Sequence, residues 1–276
     1  MISFDENGFL SGAIQEWART NRETHEEVVR VAEEINRLCH EFLNGRIANT
    51  QDTRTFVALL LFARMLELYQ ALILLNLKGM TGASSVVFRS HIEAHFHFDA
   101  IFADETYVEK YIDYFHVQRL RMANAIRKST EDSLSDLRSV FSSEKLAELK
   151  KLEEESAAEP LSVRKVAEIG RNEGTYHTAY ALLSNEVHVN SLALEKYLEN
   201  GASENINIKY GPDDSELVRQ LALTGMVMLS AYEKLATSLG EAVSNRKSKL
   251  SESLRRFLDE RISNKPLQPT GEDAGS

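Results

Sequence analysis

Residues 53–103 have the sequence TRTFVALLLFARMLELYQALILLNLKGMTGASSVVFRSHIEAHFHFDAIFA. The first half of this stretch is apolar on nearly every side of a helix, and Gly79 and Gly82 interrupt it before a second apolar stretch begins. A helix that is apolar all round belongs in a protein core or in a membrane. We therefore predict two buried helices, over 53–78 and 84–103, which form an antiparallel hairpin at the centre of the fold.

Most of the remaining chain shows the spacing of amphipathic helices, with apolar residues three and four positions apart. With 276 residues and only 4 prolines, the chain can form long helices around a sizeable core. Residues 205–210 instead alternate with a period of two, which predicts a short extended segment or hairpin. The sequence therefore predicts an all-α fold with one main antiparallel multi-helix bundle.

Changes in composition along the chain predict its organisation. Residues 1–245 are expected to form the helical bundle, and residues 128–159 within it, rich in charge and poor in large apolar groups, are expected to be a solvated excursion. Residues 246–262 form a basic amphipathic helix, which either exposes its cations to solvent or serves as the arm of a homodimer. Residues 263–276 have the composition of a disordered tail.

The charge of the chain limits its partners and its compartment. A net charge of −10 argues against a broad nucleic-acid-binding surface, although a small site that contacts one phosphate is compatible with it. Cys39 is the single cysteine, so a reducing, cytoplasmic compartment is expected and a thiolate metal cluster is not. The N-terminus lacks the pattern of a signal peptide, and Arg64 and Glu67 within the apolar stretch argue against a membrane span. No glycine-rich phosphate loop is present, and no cofactor is predicted.

Two narrow polar stripes interrupt the second apolar helix. Because successive residues of a helix are about 100° apart, the stripes lie on roughly opposite sides. They hold Arg89, Glu93 and His97 on one side, and His91, His95 and Asp99 on the other. A helix that is buried on most sides can expose only one stripe cheaply. We expect the stripe of Arg89 and Glu93 to face inward, because an arginine and a glutamate one turn apart can neutralise each other.

A later helix, predicted over residues 175–198, carries Ser184 and His188 on a face that also holds apolar residues. Both side chains should therefore point towards the core, where we expect them to meet Arg89 and Glu93. These four residues form either a satisfied polar network between packed helices or a small site. In such a site the arginine would hold an anion and the histidine would move a proton.

A metal site is a second interpretation of the histidines. His91, His95 and Asp99 follow one another at one-turn spacing, which allows a metal ion to bind on one helix face. The paired Glu-x-x-His motifs of a di-iron bundle are missing, and we expect this stripe to be exposed to solvent, where its histidines need no metal. We therefore predict no metal ion and keep these three residues only as weak candidate ligands.

The two polar helices resemble those of a bacterial family of all-helical domains of unknown function. Members of that family carry Arg-x-x-x-Glu after a leucine-rich helix, and later a tyrosine-rich helix that ends in Ser-x-x-x-His. The matching residues here are Arg89, Glu93, Tyr176, Tyr180, Ser184 and His188. The resemblance covers roughly residues 50–200 and implies a fold and the positions of the motifs, but no activity.

The chain is more distantly similar to the helical nucleases and nucleotide-binding domains called HEPN. These domains place an arginine and a histidine a few residues apart on one helix, as Arg89 and His95 are placed here. The resemblance implies metal-independent RNA cleavage, in which His188 or His95 moves a proton and Arg89 stabilises the charge on the phosphorane. Nucleotide or phosphate binding is the milder form of the same hypothesis.

The alternative is a non-enzymatic helical module for protein association, whose polar residues fix the register of the helices. The two hypotheses differ in the expected surroundings of the four polar residues. A nuclease requires that Arg89, Glu93, Ser184 and His188 line a cleft that solvent can reach. A structural network requires that they are sealed and paired with one another.

Overall fold

A computed structural model of the chain describes residues 7–47, 49–155, 161–187, 191–200 and 206–263. Within these ranges the chain is mostly helical, and its only strands form one short antiparallel hairpin. The prediction of an all-α, multi-helix fold is confirmed. The candidate residue His188 and residues 264–276 of the predicted tail lie outside the described residues.

The elements follow the predicted order, with some differences in their bounds. The helices are α1 (Ala13–Thr24), α2 (Glu26–Leu43), α3 (Thr53–Leu77), α4 (Thr81–Ala103), α5 (Tyr107–Lys128), α6 (Ser135–Val140), α7 (Ser143–Glu155), α8 (Val163–Ile169), α9 (Glu173–Thr175), α10 (Ala181–Val187), α11 (Ser191–Leu194), α12 (Leu217–Ser238) and α13 (Arg246–Ser263). A π-helical turn, Tyr176–Tyr180, joins α9 to α10. The hairpin pairs β1 (Leu198–Asn200) with β2 (Ile206–Ile208).

Two bounds differ from the sequence-based expectation for physical reasons. Gly82 does not interrupt the helix. It lies in the first turn of α4, where a glycine lowers helix stability less than it does in a helix interior. The helix predicted over 175–198 is instead assembled from short pieces, and its last residue, Leu198, begins β1. Pairing with β2 gives this segment backbone hydrogen bonds that a helical period in the sequence does not reveal.

The chain divides into two compact units, each described by itself below. Unit 1 consists of Met1–Ile47, Phe62–His95 and Ala179–Ser276, and unit 2 of Ala48–Leu61 and Phe96–Thr178. In unit 2, α5 packs against α7. Leu149 of α7 is buried against Leu120 and Ala123 of α5, and the partly buried Phe141 and Leu146 pack against them, so the charged segment contributes apolar side chains to the core of this unit.

In unit 1, α2, α12 and α13 pack against one another. Gly225 of α12 permits their close approach, because a Cβ atom there would lie 3.0 Å from Ile35 of α2 and 3.1 Å from Leu254 of α13. The basic side chains of α13 face acidic ones on its neighbours: Arg246 pairs with Glu41, Arg256 with Glu27, and Lys247 with Glu233. These pairs are largely exposed, so each contributes little to stability.

Buried amide side chains of unit 1 satisfy the end of α3. Asn21 of α1 donates hydrogen bonds to the carbonyl groups of Asn76 (3.1 Å) and Leu77 (3.2 Å), which have no partner within the helix. Asn76 donates in turn to Gln220 of α12 at 3.0 Å, and Gln220 donates to Ser85 of α4 at 3.1 Å. A chain of paired polar groups therefore joins four helices inside the core.

The turn between α3 and α4 requires a glycine. Gly79 has φ +68°, in the left-handed region that side chains with a Cβ disfavour, and its carbonyl accepts a hydrogen bond of 3.0 Å from the Asp213 amide. A Cβ atom at this position would lie 2.6 Å from both the Asp213 nitrogen and Cη2 of Trp17. Both the backbone conformation and the contact distance therefore exclude other residues here.

One helix among the described residues, α3, is long and apolar enough to cross a membrane. The fold buries 61 % of its most apolar 18-residue window. This burial is that of the core helix of a soluble protein, in agreement with the sequence-based interpretation.

We expect Gly79→Ala to lower the free energy of unfolding by about 2–4 kcal/mol, because backbone strain and steric overlap add. Gly45→Ala is the matched control, since Gly45 has φ +72° but no atom within 4 Å of its would-be Cβ. Strain alone should make the control lose about 1 kcal/mol. Urea unfolding followed by circular dichroism measures both variants, and equal losses would show that the contact at Gly79 is not tight.

Candidate functional site

Four polar side chains of unit 1 converge between α4 and the segment that contains the π-helical turn. Arg89 and Glu93 lie one turn apart on α4, Tyr180 ends the π-helical turn, and Ser184 follows one turn later on α10. The Ser184 hydroxyl donates a hydrogen bond of 2.8 Å to the Tyr180 carbonyl, which keeps the two residues on the same face. We call these four residues the Arg89 cluster.

The guanidinium group of Arg89 is the centre of this cluster. Its Nε donates to the Ser184 hydroxyl at 3.2 Å, and its Nη2 donates to the Tyr180 hydroxyl. Its Nη1 lies 3.4 Å from Oε2 of Glu93, and its Cζ lies 4.5 Å from the centroid of the Tyr180 ring. The Tyr180 hydroxyl donates in turn to Glu93 at 3.2 Å, which closes a ring of interactions around one cation.

The Arg89 cluster is partly, but not completely, removed from solvent. Tyr180 is buried, whereas the side chains of Arg89 and Glu93 retain 20 % and 33 % of their exposed area. The positive and negative charges neutralise each other at low cost, because each keeps some contact with water. The Glu93 carboxylate is the more exposed of the two charged groups, and its contact with Arg89 is the longest one that Arg89 makes in the cluster.

The structure brings together three of the four residues for which the sequence predicted a meeting: Arg89, Glu93 and Ser184. The fourth, His188, lies outside the described residues, so its predicted role stays a prediction. Tyr180, which the sequence analysis named only as a residue of the family motif, bridges Arg89 and Glu93 through its hydroxyl. The signal was present in its spacing of four residues from Ser184, but periodicity alone did not show that its hydroxyl would bridge Arg89 and Glu93.

His95, the alternative proton-transfer residue, does not share a helix face with Arg89. Six residues along a helix correspond to a rotation of about 240°, so the two side chains diverge. His95 is buried on α4, whereas Arg89 is partly exposed. An Arg-x5-His spacing within one straight helix therefore does not place the two groups on a common substrate here.

The stripe of His91, His95 and Asp99 is buried, so the expectation that it is solvated is wrong. All three residues are less than a tenth exposed, and Asp99 accepts a hydrogen bond of 2.9 Å from Asn172 in unit 2. Among the described residues, no group of three or more His, Cys, Asp and Glu side chains is placed to hold a metal ion. The ring of His91 lies instead 6.4 Å from the ring of Tyr69 in the core of unit 1.

Burial keeps two of the histidines neutral. Desolvation, with a smaller contribution from His95, lowers the pKa of His91 to about 3. Within the described residues neither ring nitrogen of His91 has a hydrogen-bond partner. Desolvation also lowers the pKa of His97 to about 4, and its Nδ1 lies 2.6 Å from the Tyr107 hydroxyl in unit 2. Neither ring therefore carries a charge near neutral pH.

Comparison with known proteins gives one finding. The sequence model of DUF5677, described as a family of unknown function, matches residues 55–206, which is more than half of the chain. This match confirms the expected resemblance to a helical family of unknown function, and it includes both Arg89 and Ser184. No curated protein and no solved structure matches the chain. The likeness to HEPN domains gains no support from these comparisons and stays a prediction.

The buried His91 should make unit 1 sensitive to acid. Its folded-state pKa lies below the ordinary value of 6.5, so the unfolded chain takes up this proton first and stability falls as pH drops from 6.5 towards 3. When the pH drops from about 6.5 to about 5, we expect the free energy of unfolding of wild type to fall by about 2 kcal/mol more than that of His91→Leu. The substitution removes no hydrogen bond among the described residues.

Urea unfolding at a series of pH values measures this difference. His97 stays in both proteins, so its own acid sensitivity cancels from the comparison. Parallel stability curves for wild type and His91→Leu would contradict the assignment of a neutral, desolvated ring at this position.

Proposed function

The chain belongs to DUF5677, a family of unknown function, and we propose that it is a cytoplasmic, non-enzymatic helical module for protein association whose Arg89 cluster is structural. The observation that supports this proposal is the mutual pairing of the cluster. Nε, Nη1 and Nη2 of Arg89 each contact a side-chain oxygen of the protein itself. A catalytic arginine instead needs donors that are directed at the charge of a reacting group.

The structural role follows from the elements that the cluster joins. Arg89 and Glu93 lie on α4, whereas Tyr180 and Ser184 lie on a segment whose π-helical turn departs from regular helix geometry. Hydrogen bonds from one cation to two hydroxyl groups fix the orientation of that segment against α4. A charged group is suited to this task, because an incorrect register would leave the cation without its partners.

A second candidate function is RNA cleavage or phosphate binding at the Arg89 cluster. The observation that favours it is the remaining exposure of Arg89 and Glu93, at 20 % and 33 % of their side chains. A phosphate would have to replace Glu93, which makes the longest of the three Arg89 contacts. In the metal-independent mechanism, Arg89 would then stabilise the phosphorane and a histidine would move the proton.

We expect purified wild-type protein to cleave no RNA above the buffer background in EDTA. We also expect Arg89→Ala to lower the free energy of unfolding by about 2–3 kcal/mol, because Glu93 and two hydroxyl groups lose their partner. Tyr180→Phe should lose about 1 kcal/mol, since it removes the hydroxyl that links the two charges and keeps the ring. Urea unfolding and cleavage of a labelled RNA are measured on the same samples.

The matched control is Arg64→Ala, which removes an exposed arginine whose partner Glu67 lies 2.8 Å away on the same helix. An exposed pair of this kind contributes at most about 1 kcal/mol. RNA cleavage by wild type that is lost in a folded Arg89→Ala protein would contradict the non-enzymatic proposal. Equal stability losses for Arg89→Ala and Arg64→Ala would contradict the structural role of the cluster.

A further inference from the structure

Unit 1 contains a pocket of about 240 Å³ at the start of α4, which we call the α4 pocket. Its walls come from the first turn of α4, from the residues that flank the β-hairpin, and from Phe9 near the beginning of the chain. The residues that matter for its chemistry are Thr81, Gly82, Lys196, Tyr197, Lys209 and Tyr210. None of them belongs to the Arg89 cluster. An experiment that tests ligand binding in this pocket therefore does not test the structural role of that cluster.

The β-hairpin brings two identical dipeptides together in the wall of the pocket. Lys196-Tyr197 directly precedes β1, and Lys209-Tyr210 directly follows β2. The antiparallel register pairs Leu198 with Ile208, and the Lys209 amide donates a hydrogen bond of 2.8 Å to the Tyr197 carbonyl. Two lysines and two tyrosines that are distant in sequence therefore line one small cavity.

The electrostatics of the pocket favour an anion. Lys196 lies against the first turn of α4, where a Cβ atom on Gly82 would be 2.8 Å from the lysine Nζ. The amino end of a helix carries a partial positive charge, so a cation at this point is destabilising unless a negative group accompanies it. Glu186 of α10 pairs with Lys196 from one side. Lys209, in contrast, makes no ion pair among the described residues.

The acidic residue that lines the pocket is already engaged. The Asp213 carboxylate accepts hydrogen bonds from the Ser215 amide at 3.0 Å and from the Ser215 hydroxyl at 2.9 Å. The Asp213 carbonyl accepts a further one from the Thr81 hydroxyl at 2.7 Å. The two bonds from Ser215 orient the carboxylate towards its own turn, and among the described residues it forms no ion pair with Lys196 or Lys209. A concave wall that carries two lysines, one of them outside any ion pair among the described residues, is a local position for an anion on a chain with a net charge of −10.

Aromatic rings give the pocket an apolar part. The rings of Phe9 and Tyr210 meet edge to face with their centroids 5.8 Å apart, and Tyr210 is largely exposed. The Tyr197 hydroxyl would lie 3.3 Å from a Cβ on Gly82, so this ring reaches the same turn of α4 as Lys196. A pocket of this size accepts a small ligand, and exposed aromatic faces suit a flat ring.

We propose that the α4 pocket binds a small phosphomonoester that carries a flat ring, of the class of the nucleoside monophosphates. The phosphate lies between Lys196 and Lys209 over the first turn of α4, and the ring lies along Tyr197 and Tyr210. Lys196 then has an anion on the side opposite Glu186, and Lys209 gains a partner. This small-molecule site goes beyond the proposed function, which concerns protein association.

Isothermal titration at constant ionic strength tests the ligand class with three probes: adenosine 5′-monophosphate, inorganic phosphate and adenosine. We expect the monophosphate to bind most tightly, inorganic phosphate to bind more weakly and to compete with it, and adenosine not to bind. Adenosine that binds as tightly as its monophosphate would overturn the role of the lysines. Inorganic phosphate that binds as tightly as the monophosphate would overturn the role of the rings.

Charge-removing variants test the location. We expect Lys209→Gln, at an exposed position, to weaken binding of the monophosphate about tenfold, since a charge-assisted hydrogen bond is lost. Lys196→Gln should weaken it at least as much. The control is Lys249→Gln, which removes the same charge from an exposed position on α13 and should leave the affinity unchanged. No binding by the wild type, or equal weakening by all three variants, would overturn the proposal, and thermal unfolding of each variant confirms that it is folded.

Discussion

The close approach of three segments at Gly79 is the constraint on which the arrangement of unit 1 depends. The chain must leave α3 and enter α4 within three residues, while Trp17 and the Asp213 backbone lie where a side chain would otherwise be. A glycine with a left-handed backbone meets this constraint, and the Asn21 amide donates hydrogen bonds to the carbonyl groups of Asn76 and Leu77 just before it. The direction of α4 that results determines what its polar stripes meet and where its first turn opens into a pocket.

The polar stripes of α4 show two different ways to place ionisable groups in a helical core. A histidine can give up its proton, so His91 is buried as a neutral ring with a lowered pKa. An arginine cannot become neutral, and Arg89 therefore keeps a carboxylate, two hydroxyl groups and some solvent around it. The difference in the chemistry of the two side chains explains why the histidine stripe, rather than the arginine stripe, takes the fully buried side.

The Arg89 cluster and the α4 pocket differ in whether the protein satisfies its own charges. In the cluster each nitrogen of the Arg89 guanidinium contacts a side-chain oxygen of the same unit, which is the pattern of a structural network. In the pocket Lys196 pairs with Glu186 but lies against the positive end of a helix, and Lys209 has no ion pair within the described residues. A charged side chain without an ion pair can bind a ligand, and adjacent aromatic rings add apolar contacts. A charged side chain that is already paired stabilises the fold instead.

The sequence by itself determined the helical class of the protein, the two apolar helices around Gly79, and the one-turn spacings of Arg89 with Glu93 and of Tyr180 with Ser184. These follow from the helical period and from one-turn spacing, which are local properties of the chain. Only the tertiary structure decided that the stripe of His91 and His95 is buried, since burial depends on neighbours that are distant in sequence. It also decided the bridging position of Tyr180 and the meeting of the two Lys-Tyr dipeptides, because a π-helical turn and the register of a hairpin come from long-range packing and pairing.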